Sequence, residues 1–409
     1  MEHIIKSLID VDFYKFTMGQ LIWKKWRDVP VRFSFKNRTK SVVLTKYIPE
    51  NRLRHELDAV RSLWFSKPEL DYLRNVRNCG MQMFSEEYLH FLEYLVLPAY
   101  ELSYGRDEFK LEFAGDWSEV TYWETLALSV VNELYYQSIL SNLPELERER
   151  VQTEGQKRLG QKIETLRSNP AVGFSDFGTR RRFGREWQDC VVDTLATKLP
   201  GQFRGTSNIL LAMKHNLHPI GTNAHEMQMV LAGIQKTDAG MLDSQNQFLK
   251  AWFDEYGEAL SIFLPDTFGS DFFLRKLPKE FAEKWKGFRH DSGQPLEFSE
   301  KIIAYYKSLG IDPKEKLIVF SDGLELPVIL ELHNHLKERI AITFGWGTNL
   351  TNDLGFAPLS LVVKATEASG SPLVKLSDNI AKAVGEQNEI KRYVELFEYE
   401  VSYSKDCLY

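Results

Sequence analysis

The residue type best suited to group-transfer chemistry occurs in the stretch 221–226, which reads GTNAHE. A predicted strand at 218–220 leads into this stretch, and a predicted helix over 224–234 follows it. We expect the imidazole of His225 to be exposed at the helix start, where it can act as a base, a metal ligand or a covalent acceptor. The free amides of a first helical turn attract anions, which favours phosphate chemistry. From this stretch alone, a helix-capping or packing histidine is the favoured interpretation, and the neighbouring loops reverse that preference.

Six further loops resemble this one in composition. From residue 172 onward, short apolar runs alternate with helix-length segments, as in βα units around a parallel sheet or barrel. Each run ends in small, hydroxyl, acidic or glycine residues, at 174–180, 204–208, 221–225, 265–269, 289–293, 321–323 and 344–349. Loops that follow the strands of a βα barrel gather at the face that carries the active site. Such residues also make ordinary turns, but seven such loops in succession favour a polar site.

The charged residues of these loops indicate an anionic substrate. Guanidinium groups bind carboxylate and phosphate oxygens in pairs, and the loops supply Arg180, Arg181, Arg182 and Arg289. The segment 345–349 (GWGTN) would let backbone amides approach a phosphate, although it is also compatible with a simple tight turn. Three carboxylates are placed to bind ribose hydroxyls or to hold Mg²⁺ through water: Asp266, Asp291 and Asp322. The chain contains no Walker A pattern.

The elements that position these loops fall into two regions. Residues 1–117 are predicted to form a mixed α+β domain, and a long helix is predicted to begin at Ser118, whose hydroxyl caps its first turn. A charge-rich helix is predicted at 145–168. After residue 357, two strands at 359–365 and 373–377 are expected to leave the barrel and to pack near the N-terminal domain.

Composition excludes several classes of protein. The net charge of -6 argues against a general nucleic-acid binder, because no basic face is available for backbone phosphates. The three cysteines are far apart and form no CxxC pattern, so neither a disulfide framework nor a structural zinc site is indicated. The N-terminus has no signal pattern and no window reaches the length of a membrane span, so we expect a cytoplasmic protein.

Taken in order, these motifs carry a family resemblance. The loops at 175–181, 205–208, 221–226, 290–293, 321–323 and 344–348, together with DFYKFTM at 12–18, resemble nicotinate phosphoribosyltransferase. The resemblance implies an α/β fold, with an irregular α/β barrel over 118–357 and an N-terminal α+β domain over 1–117 that the C-terminal tail 358–409 joins. It implies that nicotinate and phosphoribosyl pyrophosphate give nicotinate mononucleotide and pyrophosphate in NAD salvage. ATP hydrolysis would be coupled through phosphorylation of His225, with Mg²⁺ bound through substrate phosphates.

The resemblance also implies a homodimer and a role for each site residue. Phe177 would stack on the pyridine ring, with Tyr14 of the partner subunit on its other face. Arg180 and Arg289 would share the nicotinate carboxylate and the substrate phosphates, while Asp291 and Asp322 would hold ribose hydroxyls as positive charge develops. The 5′-phosphate would lie in a cradle formed by Gly345, Gly347 and Thr348.

A loop of two hydroxyl residues completes the predicted substrate site. Thr206 is placed among the substrate-binding residues, and Ser207 is expected to make the site selective for nicotinate over nicotinamide. In the related nicotinamide-using enzymes, the position that matches Ser207 resembles an aspartate. An aspartate there would repel the carboxylate of nicotinate. Ser207→Asp is therefore predicted to impair the use of nicotinate.

Three alternatives remain open from the sequence. A related phosphoribosyltransferase would use nicotinamide or quinolinate. A barrel glycoside hydrolase would use Asp291 and Asp322 as its carboxylate pair, but it leaves His225 and the arginines without a role. A non-catalytic binding protein would show no turnover and no protection by phosphoribosyl pyrophosphate.

Overall fold

The strands formed by the described residues divide between two larger sheets and one short hairpin. The structure is a computed structural model, and it describes residues 2–400 and 403–405. In chain order the strands are β1 (Pro30–Asn37), β2 (Arg77–Asn78), β3 (Met81–Gln82), β4 (Tyr100–Tyr104), β5 (Phe109–Asp116), β6 (Phe174–Asp176), β7 (Phe203–Thr206), β8 (Ile262–Phe263), β9 (Gly287–His290), β10 (Leu317–Phe320), β11 (Ala341–Trp346), β12 (Leu361–Ala368) and β13 (Ser371–Pro372).

Helices connect and cover these strands. They are α1 (Tyr14–Lys25), α2 (Glu50–Arg61), α3 (Lys67–Asn75), α4 (Glu86–Glu93), α5 (Trp117–Val120), α6 (Trp123–Ser141), α7 (Glu145–Arg167), α8 (Arg185–Lys198), α9 (Ile209–Lys214), α10 (Glu226–Gly233), α11 (Asp238–Tyr256), α12 (Ser270–Lys276), α13 (Lys279–Lys284), α14 (Pro295–Ser308), α15 (Leu326–Leu336), α16 (Thr348–Thr351) and α17 (Gln387–Leu396). The charge-rich helix predicted at 145–168 is confirmed as α7. Among the described residues, no helix is both long and apolar enough to cross a membrane.

A six-stranded parallel sheet forms the framework of the site. Its order is β7-β6-β11-β10-β9-β8, so the last strand along the chain returns beside the first, as in a barrel. The segment 218–223 lies between β7 and β8: the amide of Ile220 donates to the carbonyl of Thr206 at 2.9 Å, and Asn223 Nδ2 donates to the carbonyl of Ile262 at 3.2 Å. The predicted strand at 218–220 is reduced to one bridge between Pro219 and Thr206. The irregular α/β barrel is thereby confirmed.

The second sheet is antiparallel and joins the two ends of the chain. Its order is β13-β12-β1-β5-β4, and β12 pairs with β1 from Val31 to Asn37. The first tail strand therefore leaves the barrel and packs in the N-terminal region, as predicted. The division of the chain into domains at 117 and 357 stays a prediction.

Two predictions about these elements are wrong. Ser118 lies inside the short helix α5, where its hydroxyl donates to the carbonyl of Arg27 at 3.1 Å rather than capping a long helix. The long helix is α6, which begins later because β5 runs to Asp116 and α5 intervenes. The second tail strand at 373–377 is also absent as a strand: the amides of Leu376 and Ser377 donate to the carbonyl of Thr267, which returns the tail to the barrel.

Candidate active site

A polar pocket opens at the carboxyl ends of the barrel strands. The predicted site residues that line it are Tyr14, Phe177, Arg180, His225, Arg289, Asp291, Asp322, Gly347 and Thr348. They come from α1, from the segment before α10, from β9 itself and from the loops after β6, β9, β10 and β11. The parallel order of the strands accounts for this convergence, because all their carboxyl ends meet at one face.

His225 lies directly before α10 and inside the pocket wall. The prediction that it is exposed is wrong: the residue is only 4% exposed, because the tail segment beyond β13 packs over the barrel loops. Its Nδ1 lies 3.0 Å from Thr267 Oγ1, and its Nε2 lies 3.0 Å from Asp291 Oδ2 and 2.9 Å from Lys375 Nζ. The imidazole is thus fixed on both ring nitrogens.

The surroundings of His225 favour its neutral form. Burial lowers its pKa from the usual value, the carboxylate of Asp266 partly opposes this effect, and the ammonium of Lys375 reinforces it. A neutral imidazole keeps a lone pair on one nitrogen, and the protonated ring has none. His225 can therefore act as a nucleophile at neutral pH.

Two carboxylates next to His225 are ionised. Burial alone would raise the pKa of Asp291, but Arg289 and His225 outweigh burial and hold it well below its usual value. Arg289 Nη2 donates to Asp291 Oδ1 at 2.6 Å. Burial likewise opposes ionisation of Asp266, but the ammonium of Lys375 and a hydrogen bond from Ser292 lower its pKa. The carboxylates of Asp266 and Asp291 therefore stay negatively charged beside the cations Arg289 and Lys375.

Arginines and aromatic rings alternate on one side of the pocket. The guanidinium carbon of Arg180 lies 5.7 Å from the ring centroid of Tyr14, and that of Arg289 lies 6.0 Å from the ring of Phe177. Arg180 Nε is also 3.3 Å from Asp12 Oδ2. This arrangement offers flat apolar faces beside fixed positive charge, which suits a planar aromatic anion.

A buried carboxylate on α6 anchors the cations on the same side. Glu124 Oε2 lies 2.7 Å from Lys15 Nζ, and its Oε1 lies 3.1 Å from Lys364 Nζ and 3.6 Å from Arg180 Nη1. The hydroxyl of Tyr14 donates to Glu124 Oε2 at 3.3 Å. These contacts hold the pKa of Glu124 far below its usual value, although burial alone would raise it.

The chain shares its family with enzymes of known structure. Residues 172–401 match the nicotinate phosphoribosyltransferase (NAPRTase) family, and residues 9–132 match the N-terminal domain of that family. The chain belongs to the nicotinate phosphoribosyltransferase family. The crystal structure of the Porphyromonas gingivalis nicotinate phosphoribosyltransferase is similar, with 31% identity, a TM-score of 0.86, and coverage of 97% of this chain and 100% of that chain. For the Vibrio cholerae nicotinate phosphoribosyltransferase the identity is 30%, the TM-score 0.86, and the coverage 97% and 94%.

These matches confirm the predicted family, fold and enzyme class. They support nicotinate phosphoribosyltransferase activity, with nicotinate and phosphoribosyl pyrophosphate as substrates in NAD salvage. The polar pocket at the barrel face is then the candidate active site of a nicotinate phosphoribosyltransferase. This result disfavours the hydrolase and the non-catalytic alternatives.

Three residues predicted for the nicotinate phosphoribosyltransferase site lie behind the pocket that the described residues form. Thr206 Oγ1 donates to Asp176 Oδ2 at 2.7 Å, and Ser207 Oγ donates to Asp12 Oδ1 at 2.6 Å. Gly345 lies against Phe177, and a Cβ at Gly345 would be 2.3 Å from the Phe177 ring. Gly345 therefore directly contacts a side chain that lines the pocket, and Ser207 reaches the pocket residue Arg180 only through Asp12.

The pocket also contains residues that the sequence reasoning missed. They come from the segment after β1, from α6 and from the tail: Arg38, Glu124, Lys364, Lys375 and Lys382. Lys382 Nζ forms an ion pair with Asp322 Oδ1 at 2.5 Å. The available signal was a lysine within an apolar run, as at Lys364 in LSLVVKA and Lys375 in LVKLS. A charge at such a position needs a buried partner, which indicates a site.

One group of side chains near His225 resembles a metal site. Ligand atoms of His225, Asp266 and Asp291 all lie within 4.8 Å of one another. However, Lys375 Nζ lies 2.9 Å from His225 Nε2 and 3.3 Å from Asp266 Oδ2, so its ammonium already neutralises these donors. This set therefore does not fit a resident Mg²⁺ bound directly by all three residues.

Proposed function

We propose that this nicotinate phosphoribosyltransferase couples the transfer to ATP through phosphorylation of His225. The observation that carries this proposal is a buried imidazole with a lowered pKa, fixed by Thr267 and Asp291 in a pocket lined by cations. Such a ring is oriented, uncharged and surrounded by groups that attract phosphate.

The contacts of the ring suggest which nitrogen reacts. Lys375 Nζ can only donate and the Asp291 carboxylate can only accept, so Nε2 accepts from Lys375 when the ring proton lies on Nδ1 and donates to Asp291 when the proton lies on Nε2. In the first of these tautomers, once the Lys375 ammonium has moved to the phosphate oxygens, the lone pair of Nε2 attacks the γ-phosphorus of ATP, and the bond to the bridging oxygen breaks with release of ADP. Lys375 would offset negative charge on the transferred phosphoryl group.

The rings and arginines provide a place for nicotinate. We place the pyridine ring against Phe177 and its carboxylate near Arg180 or Arg289, since both guanidinium groups lie beside aromatic faces. Asp291 is ionised, so it can stabilise positive charge that develops at the anomeric carbon as pyrophosphate leaves. Gly347 and Thr348 line the pocket where the amides at the start of α16 would meet the 5′-phosphate.

Mg²⁺ would bind through the oxygens of substrate phosphates, because the carboxylates next to His225 are already paired, Asp266 with Lys375 and Asp291 with Arg289. When bound, it would neutralise the leaving pyrophosphate. We also propose a homodimer in the cytoplasm. The described cysteines Cys79 and Cys190 are free thiols, which suits a reducing compartment.

Incubation with γ-labelled ATP and Mg²⁺ tests the proposal. We expect an acid-labile, base-stable phosphoenzyme in the wild type and in His335→Ala, a control that removes a half-exposed histidine paired with Glu300. His225→Ala should take up no label and should lose the stimulation of nicotinate mononucleotide formation by ATP. Label that persists in His225→Ala, or an unlabelled wild type with full ATP-independent activity, would contradict the proposal.

A further inference from the structure

A second cluster of ligand-type side chains lies away from the active-site pocket. It consists of His3, near the N-terminus, and of His55 and Glu56 on α2, and none of the three lines the pocket described above. One ligand atom from each residue lies within 4.8 Å of the other two. The cluster therefore brings two imidazoles and one carboxylate to a single point.

The carboxylate of Glu56 fixes the geometry of this cluster. Its Oε2 accepts the backbone amide of Ile4 at 2.9 Å and lies 3.5 Å from His3 Nδ1. The side chain of Glu56 is 4% exposed, so the carboxylate sits at the base of the cluster. The imidazole centroids of His3 and His55 are 4.9 Å apart. The N-terminal segment is thus held against α2 by one buried carboxylate.

One polar atom of the cluster is left without a partner. His3 Nδ1 is buried and makes no hydrogen bond with any part of the chain that the structure describes. A buried ring nitrogen without a partner costs free energy unless it binds something. The nearest acidic group is the carboxylate of Glu56, and an ion between the two would satisfy both.

We propose that His3, His55 and Glu56 form a binding site for a divalent transition metal ion of the zinc class. Two imidazoles and a carboxylate are a common three-ligand set for zinc, with a water in the fourth position. In tetrahedral coordination with ordinary zinc–nitrogen and zinc–oxygen bond lengths, the ligand atoms lie about 3.4 Å apart. The three side chains must therefore move closer together when the ion binds. Both imidazoles are partly solvent-exposed and can rotate towards Glu56. The bound ion would tether residues 3–4 to α2.

Zinc titration of the chelator-treated, untagged full-length chain tests this site, which is independent of the proposed function. We expect His55→Ala and His3→Ala to bind one Zn²⁺ per chain fewer than the wild type. Zn²⁺ should raise the Tm of the wild type by about 2 °C or more, and this rise should disappear in both variants. His90→Ala is the matched control, since His90 is an exposed histidine beside Glu93.

Three readouts decide the outcome. Metal-free His55→Ala should keep the wild-type circular dichroism and Tm, because His55 is exposed. Co²⁺ should give the visible absorption of a tetrahedral site in the wild type and in His90→Ala, and this absorption should be lost in His55→Ala. Equal Zn²⁺ stoichiometry in the wild type and His55→Ala, or a loss of binding in His90→Ala as well, would overturn the proposal.

Discussion

His225 shows how contacts made by a single side chain set its reactivity. Thr267 and Asp291 fix the orientation of the ring, while burial and Lys375 lower its pKa. Asp266 and Asp291 act in the opposite direction, so the protonation state depends on a balance between burial and one ammonium on one side and two carboxylates on the other. Each of these charges can be removed separately.

The pH dependence of phosphoenzyme formation measures this balance. Because the pKa of His225 is lowered, the acid limb of the wild-type profile should have its midpoint below about pH 6.5, the usual value for histidine. Lys375→Met removes a charge that lowers this pKa, so the midpoint should move to higher pH. Lys382→Met is the control: it removes another pocket lysine, paired with Asp322, and should leave the midpoint in place. A downward shift in Lys375→Met would refute this account.

Ser207 acts through Asp12, and this changes the reason for an earlier prediction. The Ser207 hydroxyl donates to Asp12, which in turn faces Arg180. Ser207→Asp would place a second buried carboxylate against Asp12, so we expect a loss of stability on the order of 2–3 kcal/mol. We also expect kcat/KM for nicotinate to fall at least tenfold as Arg180 is drawn out of position.

Ser207→Asn separates charge from shape at this position. Asparagine has nearly the same size as aspartate, and its amide can donate to Asp12. Chemical denaturation and nicotinate kinetics should therefore show a much smaller effect for Ser207→Asn. Equal losses in the two variants would mean that size, and not charge repulsion, is responsible.

At the scale of elements, the pairing of β6 with β11 positions the aromatic wall of the pocket. Gly345 pairs with Ser175, and the amide of Phe177 donates to the carbonyl of Trp346 at 2.8 Å. The Phe177 ring then lies directly over Gly345, where a side chain would collide with it. Glycine at this position is required by close packing and not by backbone conformation.

Gly345→Ala should displace Phe177 from the pocket. Because the added Cβ would lie 2.3 Å from the ring, we expect KM for nicotinate to rise at least tenfold. Gly160→Ala is the matched control, since nothing lies within 4 Å of its Cβ position in α7, and alanine there should stabilise the helix by up to about 1 kcal/mol. An unchanged KM in Gly345→Ala would show that Phe177 does not contact nicotinate.

At the scale of the whole molecule, a single chain forms a complete site only if the Tyr14 in the site belongs to that same chain. Tyr14 lines the pocket of its own chain and its hydroxyl donates to Glu124. The family resemblance places Tyr14 of the partner subunit in the site instead. These two arrangements predict different behaviour when defective chains are mixed.

Mixing Tyr14→Ala with His225→Ala after joint refolding distinguishes them. If the site is shared, each mixed dimer contains one intact site, so random pairing should restore the ATP-stimulated activity to about one quarter of the wild-type level. If Tyr14 serves its own chain, the mixture should show no ATP-stimulated activity. Mixing His225→Ala with Asp291→Ala is the control, because both residues belong to the same barrel and no complementation is expected.

The sequence by itself determined the parts of the site that follow local rules. Parallel strands place their carboxyl ends on one face, so the order of polar loops was enough to bring Arg180, His225 and Asp291 together. The family motifs then indicated the reaction. Burial of His225 did not follow from this reasoning, because the residues that cover it are remote in the chain.

Only the tertiary structure decided which groups act on these residues. Lys375 is 150 residues from His225 in the chain, and it reaches the imidazole because the tail folds back onto the barrel. Ser207 has the composition of a site residue, but its hydroxyl is taken by Asp12. Such contacts depend on how distant segments pack, and no local pattern of polarity or periodicity specifies that packing.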